Sequence, residues 1–153
     1  MDNERKVVTS PPNIILLAED DENDVILIKQ ALKSVSQQHK IRHVHNGEEC
    51  IEYLAGDVPY NDRETFPFPS FLLLDLKMPR QDGFDVLRWL QAHPELSLPV
   101  IVLTGSGLPR DKTQSLELGA REFHSKPTAF EETVALAAAI CERWFGSGGA
   151  AVS

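Results

Sequence analysis

The chain alternates short runs of apolar residues with segments in which apolar residues recur every three or four positions. The runs 14–18, 71–74 and 99–103 are apolar or nearly so throughout, as is typical of strands buried on both faces of a parallel sheet. The segments after them carry a single apolar stripe, which predicts amphipathic helices. The pattern therefore indicates strands that each lead into a helix.

This pattern predicts five strands and five helices. The predicted strands cover residues 14–18, 41–45, 71–74, 99–103 and 122–125. Three predicted helices cover 22–36, 47–54 and 84–92. A fourth helix is expected to begin near Pro109, a residue suited to the first helical turn. The last helix is expected to begin with a capping box formed by Thr128 and Glu131. Five βα units indicate an α/β fold, a parallel sheet with helices on both faces.

The length of 153 residues is typical of one domain. Residues 1–12 are polar and end in two prolines, so we expect a flexible N-terminal segment before a domain at 13–146. The glycine-rich end, 147–153, predicts a disordered tail. Residues 56–69 contain three prolines and several polar groups, and we expect a long loop there.

Composition excludes several classes of protein. With 15 Lys and Arg against 23 Asp and Glu, the formal charge is −8, which argues against nucleic acid as a direct partner because phosphate binding needs basic residues. No apolar run approaches the roughly 20 residues of a membrane span, and the N-terminus has no apolar signal region. We expect a cytoplasmic protein without a membrane partner, in which Cys50 and Cys141 stay reduced.

Polar side chains follow four of the predicted strands at the point where each strand ends. They are Glu19, Asp20 and Asp21 after the first strand, Asp75 after the third, Thr104 after the fourth, and Lys126 with Pro127 after the fifth. In open α/β sheets, ligands bind outside the carboxyl ends of the strands, so these side chains are expected at one edge. Taken singly, each has an ordinary structural explanation, and Asp21 is expected to cap the first helix.

Taken together, the same residues predict a phosphoryl-transfer site. Closely packed carboxylates repel one another unless a cation lies between them, and Mg2+ prefers such oxygen ligands. A carboxylate can attack phosphorus to form an acyl phosphate. Positive charge from Mg2+ and Lys126, with hydrogen bonds from Thr104, would stabilise the transferred oxygens.

These residues resemble the signature of response-regulator receiver domains, the CheY-like family. Segments 75–79 and 82–83 resemble the loop of that family after its third strand, and the likeness extends over about 13–145. The resemblance implies a flavodoxin-like (βα)5 doubly wound sheet of five parallel strands in the order 2-1-3-4-5. It also implies two-component signalling, in which a sensor histidine kinase phosphorylates the protein, with no enzymatic activity beyond its own phosphorylation and autodephosphorylation.

The resemblance assigns a role to each site residue. The phosphoacceptor would be Asp75, and the Mg2+ ligands would be Asp20, Asp75, the backbone carbonyl of Lys77, and Glu19 through water. Thr104 and Lys126 would bind the phosphoryl oxygens, Phe123 would be the aromatic switch residue, and Pro127 would follow a cis peptide bond. For Phe123, a plain core aromatic is the alternative.

The resemblance extends to partners. The opening 16–20 and the long loop 56–69 are similar to a subset of receivers that work without an output domain beside phytochrome-type kinases. Such a receiver would signal through the surface formed by its fourth helix, fifth strand and fifth helix, about 109–145. We expect a homodimer through that surface.

Three other functions are compatible with parts of the pattern. A haloacid-dehalogenase-type phosphohydrolase would need a second Asp two residues after its nucleophile, where this chain has Lys77. A flavodoxin-like FMN carrier would need a Ser/Thr/Gly phosphate loop after the first strand, where carboxylates stand here. A receiver that binds partners without phosphorylation is the third.

A metal site at His39, His43 and His45 is disfavoured, because no neighbouring Cys or carboxylate completes it in the sequence.

Overall fold

The structure of the protein is a computed structural model that describes residues 13–36, 38–105 and 107–146. The expected flexible segment at 1–12 and the expected disordered tail at 147–153 lie outside the described residues. Within these ranges, no helix is both long enough and apolar enough to span a membrane.

Five strands alternate with five helices along the chain. The strands are β1 (Asn13–Ala18), β2 (His39–Val44), β3 (Phe71–Leu74), β4 (Val100–Thr104) and β5 (Glu122–Ser125). The helices are α1 (Glu22–Val35), α2 (Gly47–Ala55), α3 (Gly83–Gln91), α4 (Pro109–Glu117) and α5 (Phe130–Cys141). A 3-10 turn covers Pro94–Leu96, and a π-helical turn, Glu142–Gly146, continues α5. The predicted strands start and end within two residues of the observed ones.

The strands form one parallel sheet in the order β2-β1-β3-β4-β5, which confirms the predicted topology. Ala18, the last residue of β1, pairs with Val44 on one side and Leu74 on the other. Thr104, the last residue of β4, pairs with Ser125 at the end of β5. Because the strands end in register, the residues that follow them meet at one edge of the sheet.

The sheet separates two apolar cores. Side chains alternate between its faces, so Leu16, Leu72 and Val102 pack toward α2 and α3. On the other face, Ile15 and Leu73 pack among the apolar residues of α1 and α5. Burying such a side chain completely contributes roughly 1.5–3 kcal/mol. The two cores hold the sheet, and with it the edge where the polar residues meet.

Two local predictions have different outcomes. Asp21 caps α1 as expected, since its side chain accepts a hydrogen bond from the backbone N–H of Asp24. The capping box predicted at Thr128 is wrong, because α5 begins at Phe130 and its N-cap is Ala129, which has no side-chain oxygen to accept a hydrogen bond. A one-residue shift of the helix start therefore removes the motif.

Both cysteines match their prediction. Cys50 and Cys141 are free thiols, and each lies buried against one of the two cores. Burial raises the pKa of the Cys141 thiol to about 11 and raises that of Cys50 further still. Both thiols therefore stay protonated at neutral pH and unreactive.

Arg63 orders the predicted loop between α2 and β3. Its guanidinium donates hydrogen bonds to the carbonyls of Tyr53 (2.8 Å), Leu54 (3.0 Å) and Phe66 (3.2 Å). It also lies over the rings of Tyr53 and Phe68 at 5.9 and 5.7 Å. Because the last carbonyls of a helix lack partners within it, Arg63 caps α2 and ties the loop to it.

Candidate functional site

Three carboxylates meet at the carboxyl edge of the sheet. Glu19 and Asp20 follow β1, Asp75 follows β3, and the backbone N–H of Asp75 donates to the carbonyl of Ala18 over 3.1 Å. One oxygen from each carboxylate lies within 4.8 Å of the others. Glu19 and Asp75 are buried, with 1% and 6% exposure, and Asp20 is exposed. Hard oxygen ligands at this separation fit a divalent cation that keeps some of its water.

Thr104 binds the Asp75 carboxylate from β4. Its Oγ1 donates a hydrogen bond of 2.7 Å to Oδ1 of Asp75, and Thr104 is completely buried. The backbone N–H of Lys77 donates to the same oxygen over 3.3 Å. Asp75 thus accepts directed hydrogen bonds from two sides, which orient its carboxylate.

Lys126 brings a cation to the same group. Its backbone N–H donates to the carbonyl of Thr104 over 2.8 Å, which extends the pairing of β4 and β5 by one residue. Its Nζ lies 2.8 Å from Oε1 of Glu19 and 3.2 Å from Oδ2 of Asp75. It also lies 2.7 Å from Oδ2 of Asp24, a contact that sequence reasoning missed.

The electrostatics of the cluster favour a further cation. Burial raises the pKa of Glu19 to about 7, and the charge of Asp75 adds to this, although hydrogen bonding and charge from Lys126 act in the opposite direction. Burial lowers the pKa of Lys126, but hydrogen bonds to Asp24 and Glu19 and the charge of Asp75 outweigh it and raise that pKa overall. Lys126 therefore stays charged, and a divalent cation would favour the ionised form of Glu19.

The loop after β3 is held by the start of α2. Arg80 and Gln81 adopt positive φ angles of 52° and 73°, and their carbonyls accept hydrogen bonds from the N–H groups of Glu48 and Gly47, both 2.9 Å. These N–H groups are among the first of the helix, which have no partner within it. A Cβ on Gly47 would lie 2.2 Å from the carbonyl oxygen of Gln81, so this contact requires glycine.

His43 supports the first acidic turn from β2. Its Nε2 lies 2.7 Å from the backbone carbonyl of Glu19, so the ring donates its N–H to that oxygen. Burial lowers the pKa of His43, which favours the neutral ring. His45 instead contacts the carboxylate of the partly buried Glu49 at 3.2 Å and that of the exposed Glu22 at 3.8 Å.

Within the described residues, the cluster suited to a metal ion is formed by Glu19, Asp20 and Asp75. The histidines of β2 do not belong to such a cluster. Sequence reasoning missed the contacts of His43 and Asp24 because both depend on a partner in another element. The sequence did carry one signal for Asp24. This residue lies one helical turn after the cap residue Asp21 and therefore close to the acidic residues that follow β1.

Two further predicted residues lie near this edge. Phe123 is partly buried and packs against the core on the α2 and α3 face. The prediction of a cis bond before Pro127 is wrong, because the Lys126–Pro127 bond is trans. In the part of the chain that the structure describes, the cis bond lies between Val58 and Pro59. The trans form of an X–Pro bond is favoured by about 0.5–1 kcal/mol, and Lys126 makes its contacts with this trans bond.

A cavity of about 530 Å3 opens beside the carboxylates. Asp20, Lys77 and Arg110 are among its lining residues, so it runs from the acidic cluster to the start of α4. The arrangement offers a nucleophilic carboxylate, a hydroxyl donor, an ammonium group and a metal site with open access. Such a set can transfer a phosphoryl group to a carboxylate.

Known proteins match this chain over most of its length. The sequence profile of the response regulator receiver domain matches residues 15–138. Response regulator Rcp1 from Synechocystis sp. is 31% identical over 137 residues, which cover 89% of this chain and 91% of Rcp1.

Two solved structures are similar to the whole fold. The phosphorylated cyanobacterial phytochrome response regulator RcpA is 29% identical with a TM-score of 0.81, covering 90% of this chain and 96% of RcpA. The Mn2+-bound form of Rcp1 is 29% identical with a TM-score of 0.78, covering 93% of this chain and 98% of Rcp1.

Proposed function

This chain belongs to the response regulator receiver domain family of two-component systems, and on that premise we propose that Asp75 is its phosphoacceptor. The observation that carries the proposal is the set of contacts on its buried carboxylate. Thr104 donates to one oxygen at 2.7 Å, and Lys126 donates to the other at 3.2 Å. Both donors would move to the phosphoryl oxygens once the acyl phosphate has formed.

The donor that we infer is a phosphohistidine of a sensor histidine kinase, and similarity to phytochrome response regulators supports a kinase of the phytochrome type. An Asp75 oxygen forms a bond to phosphorus as the P–N bond breaks. The bonding electron pair leaves with the imidazole, which takes up a proton from solvent. Catalysis would be limited to this transfer and to the later attack of water on phosphorus, which restores Asp75.

Magnesium is the cation that we propose for the acidic group. Asp20 and Asp75 would hold it through carboxylates, Glu19 through water, and Lys77 through its backbone carbonyl. When bound, Mg2+ would neutralise negative charge on the transferred oxygens. Mn2+ in the similar protein Rcp1 supports a divalent cation at such a site.

Signalling would follow from a rearrangement at the edge between β4 and β5. Thr104 pairs with Ser125, and Val102, two residues before it on β4, pairs with Phe123. A shift of Thr104 toward a phosphoryl group would therefore act on the strand that carries Phe123. Phe123 is partly buried, which leaves room for a change in its burial. We assign it the role of the switch residue on this basis.

The output surface that we propose is formed by α4, β5 and α5. It carries exposed apolar side chains at Leu116 (41%) and Phe130 (40%). We propose that it joins two copies of this chain, with no nucleic acid or membrane as a direct partner. Light scattering with and without beryllofluoride is the test, and a strict monomer in both conditions would contradict the homodimer.

Phosphorylation itself is tested with acetyl phosphate and Mg2+, followed by intact-mass measurement. Wild-type protein should gain about 80 Da, the mass of one phosphoryl group, and EDTA should prevent the gain. Asp75→Asn should gain nothing, while Asp62→Asn, a carboxylate in the α2–β3 loop, serves as the matched control and should behave as wild type. Absence of the gain in wild type, together with no spectral response to beryllofluoride, would contradict the proposal.

A further inference from the structure

Asp24 makes the shortest contact of the Lys126 ammonium. Its Oδ2 lies 2.7 Å from Nζ, compared with 2.8 Å for Glu19 and 3.2 Å for Asp75. Asp24 lies in the first turn of α1, where its N–H is bound by the cap residue Asp21. The backbone of Asp24 is therefore fixed, and its carboxylate is presented to Lys126.

The three contacts of Lys126 differ in their relation to the metal. An ammonium group has three N–H donors, and three carboxylates account for them here. Glu19 and Asp75 belong to the group suited to a divalent cation, whereas Asp24 lies outside that group. A bound cation would compete with Lys126 for the oxygens of Glu19 and Asp75 but not for those of Asp24.

We propose that Asp24 is a positioning residue that keeps the Lys126 ammonium beside Asp75 when a divalent cation and a phosphoryl group occupy the site. The inference rests on the proposed function of Asp75. The cation takes over oxygens of Glu19 and Asp75, which frees the N–H groups of Lys126 that bound them. With its ammonium held by Asp24, Lys126 can donate one of these N–H groups to a phosphoryl oxygen. Without Asp24, the ammonium of a side chain that is 17% exposed can turn toward water and leave the phosphoryl group less well bound.

Beryllofluoride, a phosphoryl analogue, tests this when added with Mg2+ and followed by NMR of the backbone amides. Asp24→Asn keeps the size of the side chain and removes its charge. Glu22→Gln is the matched control, because it removes the same charge from the same helical turn. The exposed carboxylate of Glu22 pairs with His45 and not with Lys126. We expect Asp24→Asn to weaken beryllofluoride binding about tenfold, which corresponds to ~1.4 kcal/mol. Glu22→Gln should change it less than twofold.

A second pair of measurements separates positioning from other effects. Mn2+ affinity, measured by electron paramagnetic resonance, should change equally little in Asp24→Asn and Glu22→Gln, because Asp24 does not act through the metal. In a Lys126→Met background, measured at millimolar beryllofluoride so that weak binding registers, Asp24→Asn should have no further effect.

The possible failures are distinguishable. If wild type binds beryllofluoride and Asp24→Asn binds it as well as Glu22→Gln does, the positioning role is overturned while Asp75 remains the phosphoacceptor. A loss that persists in the Lys126→Met background also overturns it, because the effect would then bypass Lys126. If wild type neither binds beryllofluoride nor gains a phosphoryl group, the proposed function fails, and this inference fails with it.

Discussion

Thr104 Oγ1 donates a 2.7 Å hydrogen bond to Oδ1 of Asp75, although 29 residues separate the two in the sequence. The pairing of β3 with β4 aligns Leu74 with Val102, which brings the end of one strand beside the other. Both side chains are buried, so the hydroxyl and the carboxylate bond to each other away from bulk solvent. This bond joins the predicted phosphoacceptor to the strand next to β5.

Replacing Thr104 should separate the role of its hydroxyl from that of its methyl group. Thr104→Val keeps the volume but removes the hydroxyl that we propose moves from Asp75 to the phosphoryl oxygens, and loss of a hydrogen bond to a charged group costs about 1.5–3 kcal/mol. We expect beryllofluoride affinity to fall at least tenfold. Thr104→Ser keeps the hydroxyl and should lose much less. Equal losses in the two variants would show that packing, rather than the hydroxyl, matters at this position.

Gly83 should be intolerant of any side chain. A Cβ there would lie 2.5 Å from the carbonyl oxygen of Asp75 and 2.7 Å from Cα of Leu76, both backbone atoms of the loop after β3. Overpacking of this kind costs about 1–3 kcal/mol, so Gly83→Ala should lower the free energy of unfolding by that amount. Gly107→Ala, where a Cβ meets nothing within 4 Å, is the control in urea denaturation. A Gly83→Ala protein as stable as this control would contradict the close approach.

The Glu122 carboxylate should make stability depend on pH in the acid range. It accepts hydrogen bonds from Arg143 (2.6 and 2.7 Å), His124 (2.6 Å) and Trp144 (2.8 Å). The hydrogen bonds from Arg143, with those from His124 and Trp144, outweigh burial and lower the pKa of Glu122 from 4.5 to about 2. Because the folded-state pKa is depressed, the stabilisation is fully present above pH 4.5 and is lost as the pH falls toward 2.

The measurement is urea denaturation of wild type and Glu122→Gln at several pH values. Arg143 is about half exposed, so solvent screening limits the expected advantage of wild type at pH 7 to about 1–2 kcal/mol. The advantage should be unchanged at pH 5.5 and smaller at pH 3.5. A difference that stays constant down to pH 3.5 would show that the ion pair with Arg143 contributes little.

Arg63 should be replaceable only at a cost to stability. Its guanidinium reaches three carbonyls and two rings, which a lysine ammonium with its single nitrogen cannot do. We expect Arg63→Lys to lower the free energy of unfolding by about 1–2 kcal/mol. Arg110→Lys, at an exposed position on α4, should change it by less than 0.5 kcal/mol. Hydrogen exchange at the end of α2 should increase in Arg63→Lys, and unchanged exchange there would contradict the capping role.

The sequence by itself was sufficient for the order of elements and for most of the site. Continuous apolar runs such as 71–74 can be buried only in a sheet covered on both faces, and five βα units leave few topologies. Because parallel strands end at one edge, the sequence alone predicts that Asp75, Thr104 and Lys126 lie together. The apolar runs also predict the strand bounds to within two residues, and the position of Asp21 just before an amphipathic segment predicts its role as the cap of α1.

What the tertiary structure alone decided depends on distances between elements that are far apart in the chain. Asp24 and Lys126 are 102 residues apart, and the contact of His43 with the Glu19 carbonyl exists only because β2 lies beside β1. The trans bond before Pro127 was likewise not readable from sequence, since the intrinsic preference between isomers is only about 0.5–1 kcal/mol and surrounding contacts can reverse it. Patterns along a chain specify which side chains reach the edge of the sheet, whereas packing decides which atoms then touch.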